Sequence, residues 1–130
     1  MKPKSVKAKG RNLQNLVRDK LKDVYVHTSM IPRLHDDDIK SQTMGMPGED
    51  IVLSPKAREI IPFSFECKNV ERLNFFKALD QCEENTPEGS TPTLVVKKNN
   101  KKPYVCIQLD EFIRILKEAI WTIKYRITCS

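Results

Sequence analysis

Three side chains in this chain have the types and spacing for phosphodiester chemistry: Asp50, Glu66 and Lys68. Glu66-Cys67-Lys68 closes the apolar run Ile60 to Phe65, and Asp50 heads an earlier one, Ile51-Val52-Leu53. Side chains alternate along a strand, so Glu66 and Lys68 share one face while Phe63, Phe65 and Cys67 share the other. If the two runs pair as a hairpin, Asp50, Glu66 and Lys68 converge at one sheet edge. Two carboxylates there can share a divalent metal, and a lysine ammonium can hold or polarise a water beside a phosphate. That is the apparatus of metal-assisted phosphodiester hydrolysis.

The triplet alone is a weak signal. With 17 acidic residues and 16 lysines among 130 positions, acid-x-Lys is expected about twice by chance, and it occurs twice. The other occurrence, Asp38-Ile39-Lys40, comes after Asp36-Asp37 in a polar stretch, whereas Glu66 interrupts a strand that otherwise reads as buried. A charge in such a strand is costly unless paired or liganded. The competing reading puts Glu66 and Lys68 on the solvated face of an edge strand.

Apolar periodicity supplies the elements that would position these groups. Residues 1–9, rich in Lys with Pro3, read as a disordered basic arm. From Arg11, the residues Leu13, Leu16, Val17, Leu21 and Val24 follow helical spacing, with Arg11, Asn15, Arg18 and Lys22 opposite. Residues 27–49 read as an irregular loop broken by Pro32, Gly45, Pro47 and Gly48. Strands are expected at 50–54 and 62–68, joined by a turn around Ser54-Pro55-Lys56. A helix over about 70–84 comes next, and then strand 93–97, whose continuous apolar content marks a central position. Asn99-Asn100 turns the chain into strand 103–109, and Asp110 reads as the N-cap of a last helix carrying Phe112, Ile115, Leu116 and Ala119. In the tail, Trp121, Ile123, Tyr125, Ile127 and Cys129 alternate with polar residues, which predicts a strand; continuation of the helix is the competitor.

The formal charge of +6 is concentrated at one end. Residues 1–24 hold eight basic residues against Asp19 and Asp23, so the rest of the chain is neutral overall. Lys7, Lys9, Arg11 and Arg18 are therefore the candidate contacts to a phosphate backbone, and a disordered solubilising tail is the alternative for Lys2 to Lys9. No apolar stretch approaches the roughly 18 residues of a membrane helix, and the basic start lacks the apolar core of a secretory signal. Cys67, Cys82, Cys106 and Cys129 form no C-x-x-C pair, and His27 and His35 add no zinc spacing. Reduced thiols and a cytoplasmic location are the expectation.

The order of helix, strands carrying Asp and Glu-x-Lys, helix, strand, strand and helix resembles the PD-(D/E)xK nuclease core. Gly10-Arg11-Asn12, Gly48-Glu49-Asp50, Glu66-Cys67-Lys68-Asn69 and Lys77-Ala78-Leu79-Asp80-Gln81 are similar to small phage-encoded, Holliday-junction-resolvase-like members. The resemblance covers about residues 9–116 and implies an α/β fold, a restriction-endonuclease-like core with a central mixed sheet flanked by helices. Residues 1–130 read as one such domain, with the arm at 1–9 and the tail at 120–130 lying outside the resemblance. The resemblance implies a metal held by Asp50, Glu66 and the backbone carbonyl of Cys67, with Lys68 catalytic and Gln81 orienting the lysine or a water. Mg²⁺ would be the cofactor, with Mn²⁺ able to substitute. DNA, branched or otherwise structured, would be the substrate, contacted by Lys7, Lys9, Arg11, Arg18 and Asn69. Many members add a glutamate from the first helix; here that position is Gln14, and Asp38 is the candidate substitute carboxylate. A symmetric junction would call for a homodimer. The alternative function is a non-catalytic DNA-binding or recombination accessory module on the same fold.

Overall fold

The computed structural model describes residues 3–26 and 34–129. The first helix, α1, spans Pro3–Val26. The disordered arm expected at 1–9 is thereby corrected: from Pro3 onward it is the first turns of α1, while Lys2 lies outside the described residues. Proline is tolerated in a helix's first turn, and the lysines and Ala8 beyond it are good helix formers, so a low apolar content did not prevent helix here.

Residues 27–33 of the expected loop lie outside the described residues, and the remainder of that loop is more regular than expected. A short turn of 3₁₀ helix (Asp36–Asp38) leads into β1 (Ile39–Ser41), which pairs antiparallel with β2 (Ile51–Leu53) in the register Ile39↔Leu53 and Ser41↔Ile51. The expected turn after β2 is instead a helix, α2 (Pro55–Ile60). Ser54 caps it by accepting from the Ala57 amide, and Pro55 occupies a first-turn position, which is a helix-start signature rather than a turn. The expected hairpin between the Asp50 and Glu66 strands therefore does not form. β2 pairs with β1, and one backbone hydrogen bond, Asp50 N–H to Phe65 O at 3.0 Å, ties it to β3 (Phe63–Asn69).

β3 runs parallel to β4 (Thr91–Lys97), and β4 antiparallel to β5 (Tyr104–Cys106), so this mixed three-stranded sheet has the apolar strand β4 at its centre, as expected. The parallel crossover is made by α3 (Phe75–Asn85), capped by the Asn74 side chain at the Lys77 amide. On one face of the sheet Phe65, Cys67 and Val95 join Leu13 and Val17 of α1 and Ile39, Ile51 and Leu53 of β1 and β2 in the main core. On the other face Ser64, Glu66 and Lys68 look toward α3, whose Ala78 and Cys82 are buried.

The tail strand is also corrected. α4 spans Leu109–Cys129 without interruption, and Trp121 stacks on Tyr125 one helical turn away, ring centroids 5.4 Å apart. No Gly or Pro occurs after Asp110, so a nucleated helix propagates through a stretch whose alternation also fits a strand. Asp110 lies inside the first turn rather than at the cap, where its charge still favours the helix N-terminus.

Candidate active site

Asp50 is placed by constraints on both sides of it. Its backbone N–H donates to Phe65 O and its carbonyl accepts from the Gln42 amide at 2.8 Å. The preceding residue, Glu49, is clamped by Arg58 of α2, which also donates to Ser90 Oγ at 3.2 Å. Gly48, with φ +100°, makes the turn into this segment. The Asp50 side chain reaches across to β3, where Oδ2 accepts from the Cys67 amide at 2.7 Å. Burial raises the Asp50 pKa, against the Cys67 N–H and the charge of Lys68, which both favour the carboxylate.

Glu66 is only 4% exposed, which removes the solvated-face alternative for this residue. Its Oε1 lies 3.4 Å from Lys68 Nζ, and its Oε2 is buried with no hydrogen-bond partner. Burial, then the negative charge of Asp50, pushes the Glu66 pKa up; Lys68 and the Asn85 side chain oppose the shift. Two carboxylates thus act on each other in a desolvated site, and the charge of Lys68 favours the ionised form of both. The intervening Cys67 presents its backbone to the site while its thiol sits in the core, where burial drives its pKa far above the ordinary range. Beneath Glu66, burial lifts the Cys82 thiol to about 11.

The other candidates separate. Gln81 is exposed on α3, and no described hydrogen bond joins it to Glu66 or Lys68; Asn85, one turn further on the same helix face, is the α3 residue that acts on Glu66. Asp38 is committed elsewhere, accepting from Ser54 Oγ at 2.6 Å and from the His35 amide, so it locks the start of α2 to the segment before β1. Gln14, at the position of the missing glutamate, is 5% exposed with its Oε1 unpartnered. Asn69 ends β3 and donates to Lys9 O at 3.3 Å, and Lys9 Nζ donates to Asn99 Oδ1, which docks α1 on the strand ends. Lys7 and Arg11 are exposed on α1, and Arg18 is held by Asp19 at 2.9 Å and Asn15 at 3.2 Å. The Glu49–Arg58 clamp and the Asn85 contact escaped the sequence reading. The first had no spacing signal, and the second was hidden behind Gln81 at four residues' distance.

Against known families, the one described as phage putative PDDEXK endonuclease matches residues 5–129, nearly the whole chain. The chain belongs to that family. No curated protein and no solved structure matches it. Nucleases of the PD-(D/E)xK type generally use divalent metal ions, and the donors of this family member suit one. Asp50, Glu66 and the Cys67 carbonyl offer oxygen donors, the type preferred by hard cations. The described residues hold no cluster of three His, Cys, Asp or Glu, but Mg²⁺ is commonly held by one or two carboxylates while keeping several waters. The unpartnered buried oxygen of Glu66, beside a second carboxylate, is the feature that a cation would satisfy.

Proposed function

We propose that this chain is a divalent-metal-dependent endonuclease that hydrolyses phosphodiester bonds in branched or structured DNA, with Mg²⁺ as cofactor and Mn²⁺ able to replace it. The observation carrying this reading is Glu66: buried on a strand, one oxygen on Lys68 and the other without a partner, within the field of Asp50. Asp50, Glu66 and the Cys67 carbonyl would hold the ion. A bound ion would lower the pKa of a water and offset charge on the phosphate. The Cys67 amide fixes the Asp50 carboxylate, and the Glu66–Lys68 pair aims the ammonium. From there Lys68 can hold the attacking water and stabilise charge that grows in the transition state. Lys7, Lys9, Arg11, Arg18 and Asn69 would contact the backbone and position the DNA without specifying its sequence.

Two nicks in a symmetric junction need two sites, and α4 offers a surface for a second copy: Phe112, Leu116, Ile120, Trp121, Ile123 and Tyr125 are exposed on it. No helix among the described residues is long and apolar enough to cross a membrane, and the host cytoplasm is the proposed place of action. Labelled four-way junctions, flaps, single strands and duplexes incubated with Mg²⁺ test the proposal, with Glu66→Ala as control. Cleavage of branched substrates by the wild type only is the expected outcome; equal cleavage by Glu66→Ala refutes it. The neutral Gln14 favours the second reading, a non-catalytic DNA-binding module, which binding without cleavage on every substrate would select.

A further inference from the structure

The sheet carries a second feature on the face of Glu66 and Lys68. A cleft of about 710 Å³ opens where β3 and β4 end, between the start of α3 and the β4–β5 turn, and Lys68 itself lines it. This is within the size range of small-ligand sites, roughly 300–1,000 Å³. Its walls carry Lys68, Arg72, Lys97, Lys98, Lys101 and Lys102 against a single acid, Glu71, and Glu71 is already used by the Asn99 amide at 3.0 Å. Phe75 and Tyr104 supply aromatic surface, and Tyr104 is 68% exposed, a large ring left in water at the mouth of a cationic cleft.

Register fixes where that ring stands. Lys68 pairs with Val96, and Val96 with Tyr104, so the three occupy one row across the sheet on the same face. Two strand spacings put the Lys68 and Tyr104 backbones roughly 10 Å apart. A stacked strand covers that distance in about three nucleotides at roughly 3.4 Å each, and an extended one in fewer. The lysine-bearing turn is also held in place. Lys101 N–H closes it on Lys98 O at 3.2 Å, Asn100 takes a positive φ of 61°, and Asn99 is anchored to both Glu71 and Lys9. An anchored turn presents its ammonium groups at defined positions rather than as a loose cloud.

We infer that this cleft binds an unpaired nucleotide of the substrate strand beside the scissile phosphate, its base stacked on Tyr104 and its phosphates on the lysines of the β4–β5 turn. Aromatic stacking with a cationic track is the chemistry of single-strand recognition, since every base has a π face and a paired base cannot offer it. The inference rests on the nuclease reading and sharpens it: the preferred DNA has unpaired nucleotides next to the cut, as a flap or an opened branch does, rather than continuous duplex.

Binding in EDTA by the wild-type chain tests this without cleavage, using fluorescent oligothymidylate, an abasic oligonucleotide of equal length, and a blunt duplex. Tyr104→Ala weakens oligothymidylate binding by about 5- to 150-fold, the range for losing one base–aromatic stack. Tyr104→Phe retains it, and neither change affects the abasic strand or the duplex. Lys101→Ala with Lys102→Ala flattens the single-strand salt slope by up to about 1.4, at roughly 0.7 per phosphate contact. Equal losses on all three ligands reduce the cleft to a backbone contact and overturn the inference, as does wild-type binding by Tyr104→Ala, or equal competition by polyglutamate. An unchanged melting temperature shows each variant is folded. Failure of the nuclease reading appears separately, as no Mg²⁺-dependent cleavage of any DNA by a protein that still shows the Tyr104-dependent preference.

Discussion

Changing Glu66→Gln should stabilise the metal-free protein while abolishing its response to metal. The substitution keeps the side chain's shape and its oxygen toward Lys68, but removes a charge that burial and Asp50 both disfavour. A buried polar atom left unpartnered costs about 1–3 kcal/mol, and more when charged; Glu66 Oε2 is such an atom. Unfolding entropy of about 2.1 cal/mol/K per residue, over 130 residues, is about 0.27 kcal/mol/K. Glutamine leaves its amide nitrogen equally unpartnered there, so the relief is only the penalty on the charge less the lost attraction to Lys68, read as about 4 °C in Tm for each kcal/mol gained. For the wild type, Mg²⁺ at 100 times its Kd adds about 2.7 kcal/mol, or roughly 10 °C, and this rise should vanish in the variant. The pH dependence has a definite sign. The folded pKa of Glu66 lies above its ordinary value of 4.5, so between the two the folded state binds more protons. Wild-type stability in EDTA should fall as pH rises through that interval and level off above it, with the Glu66 share of the fall absent in the variant. Differential scanning calorimetry in EDTA and in Mg²⁺ measures all of this. A Glu66→Gln protein less stable than the wild type in EDTA, or equally stabilised by Mg²⁺, would refute the reasoning.

Lys68→Ala should lower turnover on the cleaved substrate by a factor of about 10² or more, on the order of an electrostatic group acting at the transition state, yet keep a metal-induced Tm rise; loss of that rise would make Lys68 structural. If the buried Gln14 lies within reach of the metal, Gln14→Glu supplies a third carboxylate and should tighten metal binding in calorimetric titration while lowering Tm in EDTA; unchanged metal affinity would place position 14 outside the metal's reach. Asp38→Ala should leave metal affinity intact and lower Tm through the lost Ser54 contact; an unchanged melting temperature would make that contact dispensable. If α4 joins two copies, sedimentation at micromolar concentration gives a dimer, and a chain ending at Ala119 gives a monomer; a monomeric intact chain refutes preformed dimerisation.

The features legible in the sequence rest on short-range physics. Alternation along a single strand put Glu66 and Lys68 on one face and Cys67 on the other, and the structure keeps that division because a strand's period is a property of its own backbone. The apolar content of residues 93–97 likewise marked β4 as the central strand. Tertiary structure alone decided the features that depend on partners. Asp50 and Glu66 come together not through a hairpin but through one Asp50–Phe65 backbone bond and the Cys67 amide, across an intervening helix whose Ser54-Pro55 start is easily read as a turn. The length of α4 was ambiguous because one apolar stretch satisfied both a period of two and contacts one helical turn apart; propagation from an existing helix settled it. Asp38 was drawn to a cap by Ser54, a contact with no signature in spacing. The Tyr104 cleft was invisible for the same reason: three residues from three strands share a row only once the register Lys68↔Val96↔Tyr104 exists, and register is set by pairing, not by any strand alone.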